Sequence, residues 1–511
     1  MDEGKRNILI IGGGTAGWLA AAYLAKALAL SDNPHLTITL LESKDIGIIG
    51  VGEGTFPTIR ETLRFLEIDE RKFVRESSAT FKQGILFNDW LREPNRGGRH
   101  HFFHPFEAPF YSEETSLVPY WLLQEANSRP SFAEAVTIQN RVAGAKRGPK
   151  RLGEPDFDGP LNYAYHIDAS SVARLLADRA QELGVAHLTG DLDHAELDDE
   201  GAIRSIVLND GRTLEADLYI DCTGFRAELI GRVLNSPFRS VRGSLFADRA
   251  ATCKLPYDVP DAPIESYTLA NAHEGGWTWD IGLANARGIG CVYSSDHVGD
   301  ERAVAILRDY VGARLNEDAI RIISFDAGYR ERQWIRNCVS VGLSAGFLEP
   351  LEATGLVLIE AAVGMIAELF PHHGPIDAPA RRFNQLMAAR FENIVKFLKL
   401  HYCLSQRSEP FWRENANPAT IPEELQELLR QWRYRPPGRF DFILDVESFA
   451  FFNYQYILYG MEFQTDLSAG RSDFPNAAAA QRVFDRIQAL SEKAARDLPP
   501  HRRLVSELTA A

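Results

Sequence analysis

The sequence predicts a mixed α/β fold that starts from a parallel βαβ unit, and three observations carry that prediction. Residues 7–11 (Asn-Ile-Leu-Ile-Ile) are a short apolar, β-branched run of the kind that forms a buried parallel strand. A glycine turn at 12–17 leads into an alanine-rich stretch at 18–30 that favours helix. After Asn33-Pro34, a second apolar run at 36–41 ends on Glu42. Strand, glycine turn, helix and strand in that order make a right-handed crossover unit.

Further along, a second glycine-rich stretch at 47–54 precedes a helix over 58–66. Residues 92–115, rich in Pro, Gly, His and Phe, read as a long ordered loop over a site. A helix follows over 169–183, with Asp168 or Ser170 as its N-cap and Gly184 as its stop. Two strands, 203–208 and 212–220, form a hairpin about Asp210-Gly211. Pro371-His372-His373-Gly374-Pro375 breaks the chain. Beyond it the pattern is mainly helical, interrupted near Pro410 and at Pro436-Pro437-Gly438, and the alanines at 477–480 are helix material. The expected division is a module at 1–375 with interleaved subdomains, then a mainly helical region at 376–511.

Composition removes several classes. A chain of 511 residues with net charge −15 lacks the basic stripe of a nucleic-acid binder. Its five cysteines are scattered singly and never form a CxxC, which excludes a disulfide framework and cysteine-based zinc or iron–sulfur spacing. Arg6 runs straight into the first strand, leaving no room for a signal peptide. The apolar stretch at 19–30 is too short to span a membrane and carries Lys26. A cytoplasmic enzyme with no membrane partner is the expectation.

Gly12-x-Gly14-x-x-Gly17 sits where a dinucleotide site requires it, after a strand and before a helix. The first glycine permits the tight turn, the second lets backbone amides approach a pyrophosphate, and the third packs helix on strand. Thr15 and Ala16 complete the turn, and the diphosphate would face the free N–H groups of the helix start. Glu42 is placed to accept ribose hydroxyls. The rival reading is a glycine turn without a ligand. FAD is favoured over NAD by residues 216–224, a strand that ends in Asp221 and a Thr-Gly turn. Flavoproteins that bind two dinucleotides return to the flavin with such a segment. No second glycine fingerprint follows, so the flavin is expected to be reduced by a separate NAD(P)H-dependent flavin reductase.

Four segments together resemble the flavin-dependent halogenases of the tryptophan-halogenase family. They are Gly12 to Trp18 with Gly50-Val51-Gly52-Glu53-Gly54-Thr55; Ala79-Thr80-Phe81-Lys82; Gly276-Trp277-Thr278-Trp279-Asp280-Ile281-Gly282; and Gly346 through Glu352-Ala353-Thr354-Gly355. His104-Pro105-Phe106 and Phe411-Trp412-Arg413 are shorter likenesses. Single-component hydroxylases share the fingerprint but lack the lysine and tryptophan segments.

The resemblance implies a Rossmann-type FAD-binding fold of the flavin monooxygenase kind, with an interleaved substrate-side module. It assigns Gly50, Val51, Gly52, Glu53 and Gly346 to FAD, Lys82 and Glu352 to catalysis, and Thr354 and Gly355 to a halide. Trp277, Trp279 and Ile281 become a tunnel wall between flavin and substrate, and His104 and Phe106 line a ring pocket. In the implied reaction FADH2, O2 and chloride or bromide give hypohalous acid, which reaches Lys82 and halogenates an indole or another electron-rich aromatic, free or carrier-tethered. A homodimer is compatible with the resemblance.

On their own, alternating tryptophans are the usual pattern of core packing, and Tyr454 and Tyr456 could close the pocket or belong to the core. His100-His101-x-x-His104 lacks a carboxylate at ligand spacing, so no metal is expected. Two departures stand out: Gly282 replaces the signature proline, implying a looser wall through its freed φ, and Ala353 replaces a serine. The rivals are an FAD aromatic hydroxylase and a non-catalytic flavin-binding or carrier-docking protein.

Overall fold

The structure, a computed structural model, describes residues 6–44, 47, 52–94, 98–112, 115–125, 128–371 and 373–510. Gly50, Val51 and His372 lie outside the described residues. The chain divides into two compact units, each assembled from three stretches. The first takes Met1–Ala79, Ile167–Val241 and Phe325–Glu392; the second takes Thr80–His166, Arg242–Ser324 and Asn393–Ala511.

The first unit is built on the βαβ start. Strands Arg6–Ile11 and Leu36–Glu42 pair in parallel and flank helix Thr15–Ala27. The helix begins and ends three residues before the expected 18–30. It starts directly after Gly14, and it stops where Ala29 takes a φ of 50°, leaving Leu30–Asp32 as a separate 3-10 turn. The sheet grows to six strands in the order 186–189, 36–42, 6–11, 218–221, 338–340 and 334–335, parallel except for its last pair. Helix Ala169–Glu182 is capped by Asp168, which accepts the Ser171 N–H at 3.0 Å, and Gly184 ends it at a φ of 95°.

The hairpin expected over 203–220 is half right. Thr213–Leu214 pairs antiparallel with Ile203–Leu208, but Leu218–Asp221 leaves that ribbon and pairs in parallel with Arg6–Ile11. Its continuous apolar run suits a strand buried on both faces, and that burial is available only inside the main sheet.

The second unit carries a seven-stranded sheet in the order 321–324, 249–256, 286–293, 276–282, 268–273, 84–88 and 101–105. Strand His101–Pro105 corrects the reading of 92–115 as a loop throughout. The strand Gly84–Asn88 supplies it with an antiparallel partner from Gly84↔Pro105 to Asn88↔His101. A separate antiparallel pair sets Thr80 opposite His166, Phe81 opposite Tyr165 and Lys82 opposite Ala164. The C-terminal part is helical as expected, with helices Pro410–Asn415, Glu423–Trp432, Phe451–Gly460, Ala477–Asp497 and His501–Thr509. Among the described residues no helix is long and apolar enough to cross a membrane, and no group of three or more His, Cys, Asp or Glu side chains could hold a metal ion.

Candidate active site

In the first unit the glycines of the fingerprint are fixed by what a side chain would strike. A Cβ on Gly12, whose φ is +116°, would lie 2.2 Å from the Cys222 carbonyl oxygen, and one on Gly17 would lie 1.8 Å from the Gly12 oxygen. Gly13, which the fingerprint leaves free, proves equally constrained: its Cβ would lie 2.2 Å from the Glu42 carboxyl carbon. Gly14 differs, because a Cβ there meets nothing within 4 Å. That open side faces the start of helix Thr15–Ala27, whose first turn holds no acidic residue and no side-chain cap. A cradle closed on the protein side, open at Gly14 and lined by free amides fits the diphosphate of FAD. Thr15 Oγ1 donates to the Ala169 carbonyl at 3.4 Å, and Ala16 packs where a Cβ on Gly342 would be.

Glu42 ends its strand as expected and pairs with His187 at 3.0 Å. The imidazole of His187 stands edge-on to Trp18, with centroids 4.9 Å apart. Asp221 is fully buried, and its carboxylate accepts the N–H groups of Thr223, Leu229 and Ile230 at 2.8–3.0 Å together with the Thr223 hydroxyl at 2.6 Å. It therefore builds the turn behind Gly12 from within. Gly52 has a φ of +102°. Glu53 is partly buried on strand Glu53–Gly54; burial, then the Asp168 carboxylate, pushes its carboxyl up to about 7. Gly346 sits opposite Tyr329 in a small antiparallel sheet.

Glu352 closes the 3-10 turn Pro350–Glu352, with 2% of its surface exposed. Ala353 then takes the left-handed conformation at a φ of 57°, and helix Thr354–Leu369 begins. The reversal at Ala353 presents the helix start at Thr354 and Gly355 without a side-chain cap, an arrangement suited to an anion. No Cβ contact would arise at Gly355 within 4 Å.

Lys82 belongs to the second unit. It is only 1% exposed, on strand Thr80–Lys82, and its ammonium stands 5.3 Å from the centre of the Phe106 ring. A buried ammonium over an aromatic face keeps part of the stabilisation it lost with water. Gln139 holds Phe106 in place, accepting the N–H groups of Phe106 and Glu107 at 2.8 and 2.9 Å. His104 is buried, its Nε2 2.9 Å from Asn453 Oδ1, with its ring 5.9 Å from that of Phe397. Phe397 in turn meets Tyr454 edge-on at 4.8 Å. Tyr454 also packs on Phe442 and Trp432. Lys82, Phe106, His104 and Tyr454 thus gather in one unit.

Two histidines that the sequence did not single out complete this region. His166, opposite Thr80, holds Thr268 Oγ1 at 2.9 Å, and burial first, then the Lys82 charge, keeps it well below 6.5. His501 accepts the Phe81 N–H at 2.9 Å on Nε2, which leaves Nδ1 protonated and facing the Ile264 carbonyl at 3.2 Å. Burial holds His501 at about 4. Both imidazoles are therefore neutral at pH 7 and add no repulsion to the lysine.

Trp277, Trp279 and Ile281 alternate along strand Gly276–Gly282, on one face, and all three are buried. The ring of Trp279 lies on Gly290 of the neighbouring strand, where a Cβ would come within 2.1 Å of it. Gly282 does not loosen this wall. Its φ is outside the left-handed region, it continues the strand, and a Cβ there would lie 2.7 Å from Ile264 and 2.9 Å from the Tyr257 hydroxyl. Those two side chains fill the space a proline ring would need.

The tryptophan halogenase family model matches residues 7–473. The tryptophan 7-halogenase RebH of Lentzea aerocolonigenes is 35% identical, over 84% of this chain and 82% of its own. The tryptophan 6-halogenase SttH of Streptomyces toxytricini is 32% identical over 89% of both chains. The crystal structure of a tryptophan halogenase from Shewanella frigidimarina superposes with a TM-score of 0.93 at 36% identity, covering 100% of this chain and 98% of that one. The chain belongs to the tryptophan halogenase family. It is accordingly a flavin-dependent halogenase, an oxidoreductase that works with FADH2, a halide and a separate flavin reductase on a small aromatic substrate.

Proposed function

We propose that Lys82 delivers an electrophilic halogen to an indole or a similarly electron-rich ring held in the pocket of its own unit. The burial of Lys82 beside the Phe106 ring, in the same unit as His104 and Tyr454, is the observation that carries this reading. FAD, bound reduced at the Gly12–Gly17 cradle, supplies with O2 the oxidising equivalents that turn chloride or bromide into hypohalous acid. The helix start at Thr354 and Gly355 holds the halide through its backbone amides.

The Lys82 ammonium donates a hydrogen bond to the oxygen of hypohalous acid and polarises the oxygen–halogen bond. The ring carbon attacks the halogen, the oxygen leaves and is protonated to water, and the ring proton departs to restore aromaticity. Glu352 is the second catalytic group that the family resemblance implies, a buried carboxylate able to stabilise positive charge. His104, Phe106 and Tyr454 define the ring pocket, and Trp277, Trp279 and Ile281 form a buried apolar wall within the same unit. RebH and SttH, named for different ring positions, match this chain about equally at 35% and 32%, so regiochemistry must come from the pocket rather than from identity. The cytoplasm is the compartment this reading assigns, because NAD(P)H and a flavin reductase are available there.

Incubation with a flavin reductase, NADH, bromide and indole tests this directly. Bromoindole in the mass spectrum is the expected product. Hydroxylated indole without bromine would instead make the protein an aromatic hydroxylase.

A further inference from the structure

Seven of the eight tryptophans of this protein divide by what their N–H groups meet. Trp90, Trp121, Trp334 and Trp412 each donate to a backbone carbonyl at 2.8–3.0 Å, and Trp432 donates to the Asp441 carboxylate at 3.1 Å. Trp277 and Trp279 break the rule. Both are more than nine-tenths buried, and neither Nε1–H has an acceptor among the described residues. Buried donors are ordinarily satisfied, because an orphan has lost its water without gaining a partner. The two lie two residues apart on one face of strand Gly276–Gly282, with ring centres 6.2 Å apart.

We propose that these two N–H groups form a donor site for a small uncharged acceptor, hypohalous acid in transit to Lys82. The inference rests on the halogenase reading above and adds a binding role to residues otherwise assigned only to a wall. The neighbourhood decides the charge of the guest. Across the strands this face meets Ala270, Ala272, Val292, Gly290 and Gly288, none of them charged. The nearest carboxylate in the sequence, Asp280, points to the opposite face and is paired with Arg287 and the Tyr310 hydroxyl. An anion here would find no counter-charge on these strand neighbours, and its burial would cost far more than that of a neutral molecule that accepts two hydrogen bonds. Hypohalous acid has that chemistry; a halide does not.

The test removes the donors and keeps the wall. Trp277→Phe and Trp279→Phe, singly and together, are compared with 3-benzothienylalanine at the same sites, which preserves the two-ring shape and lacks only the N–H. Product formed per O2 consumed is measured alongside oxidised bromide escaping into solution, trapped with monochlorodimedone. Losing each donor should lower coupling roughly two- to tenfold, the range implied by a neutral hydrogen bond of about 0.5–1.5 kcal/mol. The missing halogen should appear in the trap, while FAD affinity and the rate of O2 consumption stay unchanged. Wild-type coupling in the benzothienyl proteins overturns the proposal, as does an anomalous bromide peak at the indole nitrogens of bromide-soaked crystals, since the guest would then be an anion. If the wild type itself yields no oxidised bromide and no bromoindole, the halogenase reading fails instead.

Discussion

The imidazole of His501 accepts the backbone N–H of Phe81 at 2.9 Å, immediately before Lys82 and 420 positions away in the chain. The N–H of an edge-strand residue is thereby satisfied by a side chain where a further strand would otherwise pair. Helix His501–Thr509 is pinned in the same place, with Arg502 donating to the carbonyls of Ala262 and Ala284 at 2.8 and 2.6 Å. His501→Leu should leave the Phe81 N–H buried without a partner and cost about 1–3 kcal/mol. A lowered thermal midpoint and a reduced kcat with nearly unchanged FAD affinity are expected; an unchanged midpoint would show that the contact carries no weight.

Acid should weaken the second unit. Burial lowers His501, His273 and His100 to about 4. Their unfolded value is near 6.5, so the stability of the neutral form is complete above that pH and is lost as the pH falls toward 4. For His501 alone the full effect is about 3 kcal/mol. Urea midpoints taken between pH 7.5 and 4.5 should fall steeply, and the slope should be shallower in His501→Leu, which takes up one proton fewer on unfolding.

Glu53 titrates in the opposite sense. Its carboxyl is pushed up to about 7, above the ordinary 4.5, so the folded state favours the protonated form. That preference is fully present below pH 4.5 and is lost as the pH rises through 7. In FAD-free protein, Glu53→Gln should match the wild type at pH 4.5 and exceed it at pH 8. Equal midpoints at both values would contradict the assignment.

Gly290 is a packing requirement rather than a flexible point, because the Trp279 ring occupies the place of its Cβ. Gly290→Ala should displace that ring and cost about 1–3 kcal/mol by overpacking. The halogenated fraction of turnover should drop further than stability alone explains. The comparison to make is coupling at a temperature where both proteins are fully folded.

The βαβ start, Glu42, the capped helix at Asp168 and the tryptophan strand were legible because each is set by a local period or a turn residue. The destination of Leu218–Asp221 was not, because a strand's partner is chosen by burial on both faces and not by its neighbour in sequence. Strand His101–Pro105 was hidden for the same reason: its ladder depends on Gly84–Asn88. The partners around the site were least visible. His187 beside Glu42, Gln139 beneath Phe106, Asn453 at His104 and His501 behind Phe81 are ordinary residues in ordinary local contexts, and only the tertiary fold gives them their contacts. Gly13 was readable in principle, as an extra glycine at a position the fingerprint leaves open.

If Lys82 hands the halogen to the ring, its removal should abolish bromination. The most direct measurement is bromoindole formation by Lys82→Ala, supplied with reductase, NADH and bromide and checked to bind FAD as the wild type does. No brominated product, with FAD bound and O2 still consumed, is the predicted result. Bromination at the wild-type rate would contradict it.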